Sequence, residues 1–221
     1  MAIATFLELC MDTDGDDTLG RFWAETIGSD FRPDAGGLGN VVGTYEYQSI
    51  AMCEVPEPKT VKHRIHLDIY ARSVDELTAR GANVQLPAEE SGFKWTVMTD
   101  PEGGEFCAFL REDPPGFRLH GIVVDCADPQ ATAAWWGEVF GVTPRGWEEG
   151  PWWTLEHATP DEVLTIDFNP VPEPKTVKNR IHWDVRGDAA ALEAHGATRL
   201  WEMPRWVTLA DPEGNEFCVF E

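Results

Sequence analysis

The fold of this chain is decided by a stretch that occurs twice, VPEPKTVKHRIHLD at Val55–Asp68 and VPEPKTVKNRIHWD at Val171–Asp184. The two stretches are identical at twelve of fourteen positions and lie 116 residues apart. A second pair follows, TDPEGGEFCAF at Thr99–Phe109 and ADPEGNEFCVF at Ala210–Phe220, identical at eight of eleven positions with an offset of 111. Blocks that keep their order at a nearly constant offset indicate a duplicated domain.

The duplication predicts two domains, residues 1–113 and 114–221, joined near the proline-containing segment Glu112–Phe117. Each copy has about 110 residues, which is enough for a hydrophobic core of its own. The hydrophobic fraction is 43% and includes ten tryptophans and eleven phenylalanines, so we expect ordered, packed domains.

The charge balance restricts the partners. With 39 acidic and 17 basic residues the net charge is −22, which disfavours nucleic acids and anionic membranes because their phosphates would be repelled. The same charge favours the approach of a cationic small molecule. The sequence has no apolar run of about 20 residues and no basic N-terminal signal region. Its five scattered cysteines are typical of reduced thiols, so we expect a cytoplasmic protein.

Within each copy the pattern predicts the element order β-α-β-β-β-α-β-β. Helices are predicted over Asp17–Ile27 and Pro129–Phe140, each closed by a glycine, Gly28 and Gly141. A strand rich in β-formers is predicted over Tyr45–Glu54.

Strand parity then predicts a functional face. In the strand that contains His66, the residues Ile65 and Leu67 point to one side, while His66 and Asp68 point to the other. A sheet face rich in polar and ionisable groups indicates a concave surface that faces a ligand. The candidate ligand-binding residues on this face are Arg64, His66, Asp68, Trp95, Glu105, Arg180, His182, Asp184, Trp206 and Glu216.

The repeated strand NRIHWD and the turn DPEGNEF resemble those of the vicinal oxygen chelate superfamily, which contains glyoxalase I, extradiol dioxygenases and bleomycin-resistance proteins. The resemblance covers nearly the whole chain and is closest to glyoxalase-like domains. It implies an α+β protein with two tandem glyoxalase-like domains. Each domain would be a pair of βαβββ modules that form a curved, mostly antiparallel sheet with helices on its convex face.

The resemblance also implies a metal site, because metal enzymes of this superfamily use His or Gln on the first strand and Glu on the last strand of each module. The last-strand position falls on Cys107 and Cys218 here, and the first-strand position of each copy falls on Glu8 and Gly121, with His120 adjacent to the latter. The fourth position falls near Cys53 and Asn169. A thiolate binds Zn²⁺ or Fe²⁺, whereas a neutral thiol is a poor ligand for Mg²⁺ or Mn²⁺. On the opening strand of the other two modules, the resemblance places the ligand position nearest Arg64 or His66, and nearest Arg180 or His182, and an arginine cannot bind a metal. Glu105 and Glu216 lie on the same face as the cysteines and can replace them as ligands. The candidate metal ligands are therefore His66, Glu105, His182 and Glu216, for a divalent ion such as Zn, Fe, Ni or Mn.

Structural roles compete with these assignments. Each histidine can pair with the aspartate two residues along the strand, and Cys107 and Cys218 can serve as small buried side chains. The tryptophans can line a pocket for a flat ligand or belong to the core. The basic segment PEPKTVKNR can hold a ligand carboxylate or form a solvated loop.

Three functions remain open from the sequence, and no catalytic residue is assigned. The first is a small-molecule binding protein of the resistance or sequestration kind, with a cationic or aromatic ligand. The second is a metal-dependent lyase, isomerase or dioxygenase that acts on vicinal oxygens, with Glu105 or Glu216 as ligand or base. The third is a metal-free enzyme that uses a His–Asp pair as general base. A monomer and a homodimer are both compatible with the tandem.

Overall fold

The computed structural model describes residues 2–221, which form sixteen strands and five helices within that range. The strands are β1 (Ala4–Thr13), β2 (Asp30–Arg32), β3 (Asn40–Val42), β4 (Ile50–Glu54), β5 (Ile65–Ala71), β6 (Asn83–Leu86), β7 (Thr96–Thr99), β8 (Glu105–Leu110), β9 (Leu119–Cys126), β10 (Arg145–Gly146), β11 (Trp153–Leu155), β12 (Thr165–Pro170), β13 (Ile181–Gly187), β14 (Thr198–Glu202), β15 (Val207–Ala210) and β16 (Glu216–Phe220). The helices are α1 (Thr18–Ile27), α2 (Val74–Thr78), α3 (Ala88–Ser91), α4 (Pro129–Phe140) and α5 (Ala189–Ala194).

The strands form two eight-stranded sheets. The order of the first sheet is β14-β15-β16-β13-β1-β4-β3-β2, and that of the second sheet is β10-β11-β12-β9-β5-β8-β7-β6. Five of the seven pairings in each sheet are antiparallel. This confirms the α+β class and the tandem of glyoxalase-like units built from four βαβββ modules.

The modules pair across the two copies. Each sheet takes one module from each half of the chain, joined by β1 with β13 in the first sheet and by β5 with β9 in the second. The sequence resemblance had led us to expect both modules of one sheet from a single copy. The repeated PEPKTVK segments explain the difference, because each carries the chain out of one sheet and into the other.

The two crossover segments also bind each other. Arg64 donates from Nη1 to the carbonyl oxygen of Glu173, and Arg180 donates from Nη1 to that of Glu57. The near-identity of the two segments therefore has a structural basis, since each arginine secures the crossover of the other copy.

The DPEG turns connect the two sheets within each copy. Asp100 accepts hydrogen bonds at Oδ1 from the amides of Glu102 and Gly104, and at Oδ2 from the Trp23 indole at 3.3 Å. The second copy repeats this arrangement with Asp211 and Trp136 at 3.0 Å. A turn of one sheet is thus fixed to a helix that packs on the other sheet.

The two long helices end as predicted. Gly28 and Gly141 have φ values of 80° and 71°, in the left-handed region that glycine adopts without strain. The predicted strand over Tyr45–Glu54 begins only at Ile50, because a 3-10 turn at Glu46–Gln48 precedes it. Within residues 2–221, none of the helices has the length and apolar character needed to cross a membrane.

Candidate functional site

Equivalent side chains meet on the polar face of each sheet. The structure brings together His66, Asp68 and Cys107 in the second sheet, and His182, Asp184 and Cys218 in the first. In each group, one donor atom from every residue lies within 4.8 Å of the others. Strand parity predicted these faces correctly, because the histidine and aspartate alternate with buried apolar residues along β5 and β13.

The histidine and the aspartate are arranged in the same way in the two clusters. The distance between the histidine Nε2 and the aspartate Oδ1 is 3.7 Å in both sheets. In the first sheet, the Cys218 sulfur also lies 3.4 Å from His182 Nε2. The distances of 3.7 Å are longer than hydrogen bonds, so the predicted His–Asp pairs are neighbours rather than bonded dyads.

Glu105 and Glu216 hold the crossover segments. Glu105 accepts hydrogen bonds from Lys59 Nζ and the His63 amide, and Glu216 accepts them from Lys175 Nζ and the Asn179 amide. Among the described residues, the cluster with each histidine is completed by an aspartate and a cysteine rather than by these glutamates. Counting from the turn had placed the cysteines at the last-strand ligand position, and the structure places them beside the histidines.

Burial controls the protonation of the clusters. Desolvation lowers the pKa of His66 to about 4 and that of His182 to about 3. Desolvation also raises the pKa of Asp68 to about 8, with a further contribution from Asp167, and raises that of Asp184 to about 8. At neutral pH the imidazoles are therefore uncharged and the two aspartates hold their protons.

The clusters fit a borderline divalent metal ion. A neutral imidazole, a carboxylate and a thiolate are the donors that Zn²⁺ and Fe²⁺ accept, and they suit Mg²⁺ or Mn²⁺ poorly. In the described part of the chain, Oδ1 of both Asp68 and Asp184 is buried without a hydrogen-bond partner, as is His182 Nδ1. An incoming cation would satisfy such an oxygen, and binding would displace the protons that the aspartate and cysteine carry.

An aromatic wall distinguishes the second sheet. Tyr70 stacks on His120 with ring centroids 4.0 Å apart, and Phe109 meets the same imidazole edge-on at 4.8 Å. Trp95 continues the wall, stacked on Phe109 at 5.2 Å and on Phe93 at 4.7 Å. The predicted pocket residue Trp95 therefore belongs to a continuous row of rings beside the polar cluster.

A second acid lies near Asp68. Asp167 on β12 accepts hydrogen bonds from Thr154 at 2.5 Å and from Thr165 at 2.7 Å, and Trp147 donates to Thr154 at 2.8 Å. Between the two acids lies Gly121, where a Cβ atom would be 3.1 Å from Asp68 Cβ and 3.5 Å from Asp167 Oδ2. The missing side chain leaves the surface open at this point.

The first sheet differs at the same positions. Its cluster is more enclosed, with His182 and Asp184 side chains 8% and 6% exposed, against 13% and 15% for His66 and Asp68. Glu8 occupies the place of Gly121, and its pKa is raised by burial and by the nearby Glu46. The aromatic row is reduced to Trp206 stacked on Phe220 at 5.7 Å.

Sequence reasoning missed several residues of these faces. Asp167, Tyr70 and Cys10, whose sulfur lies 3.2 Å from that of Cys53, were not among the candidates. Tyr70 shares the parity of His66 and Asp68, so the alternation already contained this signal. Asp167 could not be placed beside Asp68, because the two residues come from different copies.

Comparison with known proteins agrees with this architecture. The model of the glyoxalase-like domain family matches residues 8–109 and 121–220. The chain therefore belongs to the glyoxalase-like domain family, within the vicinal oxygen chelate superfamily. Comparison with curated protein sequences finds no match.

Solved structures share the fold at low sequence identity. Glyoxalase I from Zea mays superimposes with a TM-score of 0.72 and 14% identity, over 99% of this chain and 92% of the maize chain. The cppA protein from Streptococcus pneumoniae gives a TM-score of 0.51 and 10% identity, over 98% of each chain. At this identity the similarity extends to the fold alone.

Proposed function

We propose that the polar face of the second sheet binds a planar, positively charged organic molecule, and that the protein acts by holding it, as a resistance or sequestration protein does. The observation that carries this proposal is the position of Asp68. Its Oδ1 atom has no hydrogen-bond partner among residues 2–221, although it is buried next to a second acid and an aromatic row. A ligand cation supplies the missing partner for this oxygen.

Stacking supplies the second part of the recognition. Phe93, Trp95 and Phe109 present roughly parallel ring faces, with interplanar angles of 11° and 29° between neighbours. Aromatic faces attract flat cations through both stacking and the ring quadrupole. The net charge of −22 adds a long-range attraction for the same class of ligand.

The proposal is tested by titrating tryptophan fluorescence with N-methylacridinium, a planar cation, and with neutral acridine of nearly the same shape, at about pH 8, where Asp68 ionises. We expect saturable binding of the cation and binding of the neutral compound at least about tenfold weaker. Asp68→Asn and Trp95→Ala should each weaken the cation at least about tenfold.

The duplication provides matched controls. Asp184→Asn and Trp206→Ala make the same changes in the first sheet and should leave binding within about twofold of wild type. Equal binding of both compounds, or equal loss from changes in either sheet, would contradict the proposal.

A metal-dependent lyase, isomerase or dioxygenase is the second candidate function, favoured by the cluster of His66, Asp68 and Cys107. When bound there, a metal ion would supply Lewis-acid polarisation of a substrate oxygen. Elemental analysis of untagged protein separates the two candidates. About one equivalent of metal that is lost in His66→Ala would favour the enzyme over the cation-binding protein.

A further inference from the structure

Cys10 and Cys53 form a pair of facing thiols on the polar face of the first sheet. They belong to the adjacent parallel strands β1 and β4, and their sulfur atoms are 3.2 Å apart. Both are free thiols, with Cys10 buried and Cys53 half-buried. The proposed cation-binding surface is in the second sheet, so it makes no use of this pair.

The strand register makes the two cysteines diagonal neighbours. Cys10 lies opposite Ala51 and Cys53 lies opposite Asp12, so both sulfurs project from the same face of the sheet. A disulfide bond has an S–S distance of about 2.05 Å, so the two sulfurs need to approach each other by about 1.2 Å. Small rotations of the two side chains supply this movement, and the backbone pairing of β1 with β4 is kept.

The thiol pair is absent from the second sheet. Strand register places Val123 and Asn169 at the positions that Cys10 and Cys53 occupy in the first sheet. The duplicated strands form the same pairing with these two residues, so the fold itself does not require a cysteine at either position.

The thiols of the chain differ in acidity. A hydrogen bond from the Cys10 thiol lowers the pKa of Cys53, and Lys178 acts in the same direction, whereas burial and the acids Asp12 and Glu8 oppose the shift. Burial raises the pKa of the other thiols outside the pair, which are those of Cys107, Cys126 and Cys218. Because the thiolate is the reactive form, Cys53 is the thiol that an oxidant should attack first.

We infer that Cys10 and Cys53 form a redox-active dithiol that hydroperoxides convert into a disulfide, with Cys53 as the attacking thiol and Cys10 as the resolving thiol. An accessible thiolate beside a second cysteine is the arrangement that is typical of cysteines oxidised in this way. The proposal is independent of the cation-binding function, because it concerns the other sheet.

The reaction has two steps. The Cys53 thiolate attacks the terminal oxygen of the hydroperoxide, so that an S–O bond forms as the O–O bond breaks, and the leaving alkoxide or hydroxide takes a proton from solvent. The Cys10 sulfur then attacks the sulfur of the Cys53 sulfenic acid. The S–S bond forms as the S–O bond breaks, and the hydroxide leaves as water with the Cys10 proton. The two sulfurs together supply the two electrons that reduce the peroxide, and a dithiol reductant returns them to thiols.

The test treats the reduced full-length protein, freed of reductant and of metal by EDTA, with an equimolar amount of hydrogen peroxide. Denaturation, alkylation with N-ethylmaleimide and mass spectrometry then count the remaining thiols. We expect three of the five cysteines to be alkylated, and the proteolytic peptides that contain Cys10 and Cys53 to be joined. Dithiothreitol should restore all five thiols.

Serine variants test the two roles. In Cys10→Ser the hydroxyl still donates a hydrogen bond, but no resolving thiol remains, so dimedone should trap a sulfenic acid on Cys53. In Cys53→Ser no dimedone adduct should form on Cys10. Cys126→Ser removes a buried thiol of the second sheet and should leave formation of the disulfide unchanged.

Three outcomes would overturn the inference. The first is five alkylated cysteines after peroxide treatment of the wild-type protein, and the second is a disulfide between other cysteines, such as Cys10 and Cys218. The third is a dimedone adduct on Cys10 in Cys53→Ser with none on Cys53 in Cys10→Ser, which would contradict the assigned roles.

Discussion

Gly121 lies opposite Asp68 in the pairing of β9 with β5, and a Cβ atom on Gly121 would lie 3.1 Å from the Asp68 Cβ. In the first sheet the corresponding pair is Glu8 and Asp184, so that a residue with a full side chain stands where the second sheet has glycine. One missing side chain thus accompanies the more open of the two polar faces.

We predict that Gly121→Val will weaken binding of N-methylacridinium at least about tenfold, or about 1.4 kcal/mol. The added side chain would occupy the space between Asp68 and Asp167 that the ligand cation needs. Fluorescence titration measures the effect, and Glu8→Val in the first sheet is the matched control. Unchanged affinity in Gly121→Val would show that the ligand does not enter this space.

The protonation of Asp68 predicts a pH-dependent stability. Its pKa rises from 3.8 to about 8 on folding, mainly by desolvation, so the folded state retains a proton that the unfolded state releases. The free energy of unfolding therefore keeps its full contribution from the neutral Asp68 carboxyl below about pH 4. This contribution is lost progressively as the pH rises from about 4 to about 8. Asp68→Asn removes the loss, because its amide never ionises.

We therefore expect Asp68→Asn to be more stable than wild type at pH 8 by on the order of 2 kcal/mol, with the advantage shrinking towards pH 4. Urea denaturation of metal-free protein at several pH values measures the difference. A constant difference across this range would contradict the ionisation that we assign to Asp68.

The two copies offer a test of coupled packing at His63 and Gly104. In the second copy, Asn179 donates to Asn215 at 3.0 Å, whereas the first copy has His63 and Gly104 at these positions. A Cβ atom on Gly104 would lie 2.5 Å from Asp100 Oδ2 and 2.8 Å from the His63 ring. Gly104→Asn alone should therefore destabilise the protein by about 1–3 kcal/mol.

Adding His63→Asn to Gly104→Asn should recover at least about 1 kcal/mol, because the pair of asparagines then reproduces the contact of the second copy. A double-mutant cycle by chemical denaturation measures this coupling, with His63→Asn alone as the fourth corner. Strictly additive effects would show that the two positions pack independently.

The turn aspartates should be important for stability rather than for ligand binding. Asp100→Ala leaves the amides of Glu102 and Gly104 and the Trp23 indole without their acceptor, so we expect a loss of about 2–4 kcal/mol. Asp211→Ala should behave alike, since Asp211 has the equivalent partners in the second copy and also accepts a hydrogen bond from the Asn215 side-chain amide. Thermal unfolding measures both losses, and a loss below about 0.5 kcal/mol would contradict this role.

The sequence predicted the parts of the fold that depend on local patterns and on repetition. Alternation along β5 placed His66 and Asp68 on one face, and the glycines after α1 and α4 marked their ends. The sequence could not predict that β1 pairs with β13. The pattern of a strand shows which of its faces is buried, but not which other strand pairs with its edge. The position of Cys10 beside His182 depends on that pairing, and the position of Asp167 near Asp68 depends on the equivalent pairing of β5 with β9.

The same limit applies to the glutamates. Glu105 and Glu216 share parity with the cluster cysteines, and sequence alone could not show that Lys59 and Lys175 bind them. The alternation along a strand shows on which side of the sheet a carboxylate lies. Which residue binds that carboxylate depends on the path of the crossover segment that passes over it.

The exchange of modules between sheets also determines the order in which the molecule can be completed during synthesis. The modules of the second sheet are adjacent in the chain, so this sheet can assemble once residue 170 has been made. The first sheet joins two modules that are separated in the sequence by the whole second sheet, and the edge of β1 that pairs with β13 stays exposed until residues 181–187 have been made. Such long-range pairing is slow to form, so the unpaired edge of β1 is an aggregation risk while the chain is being made.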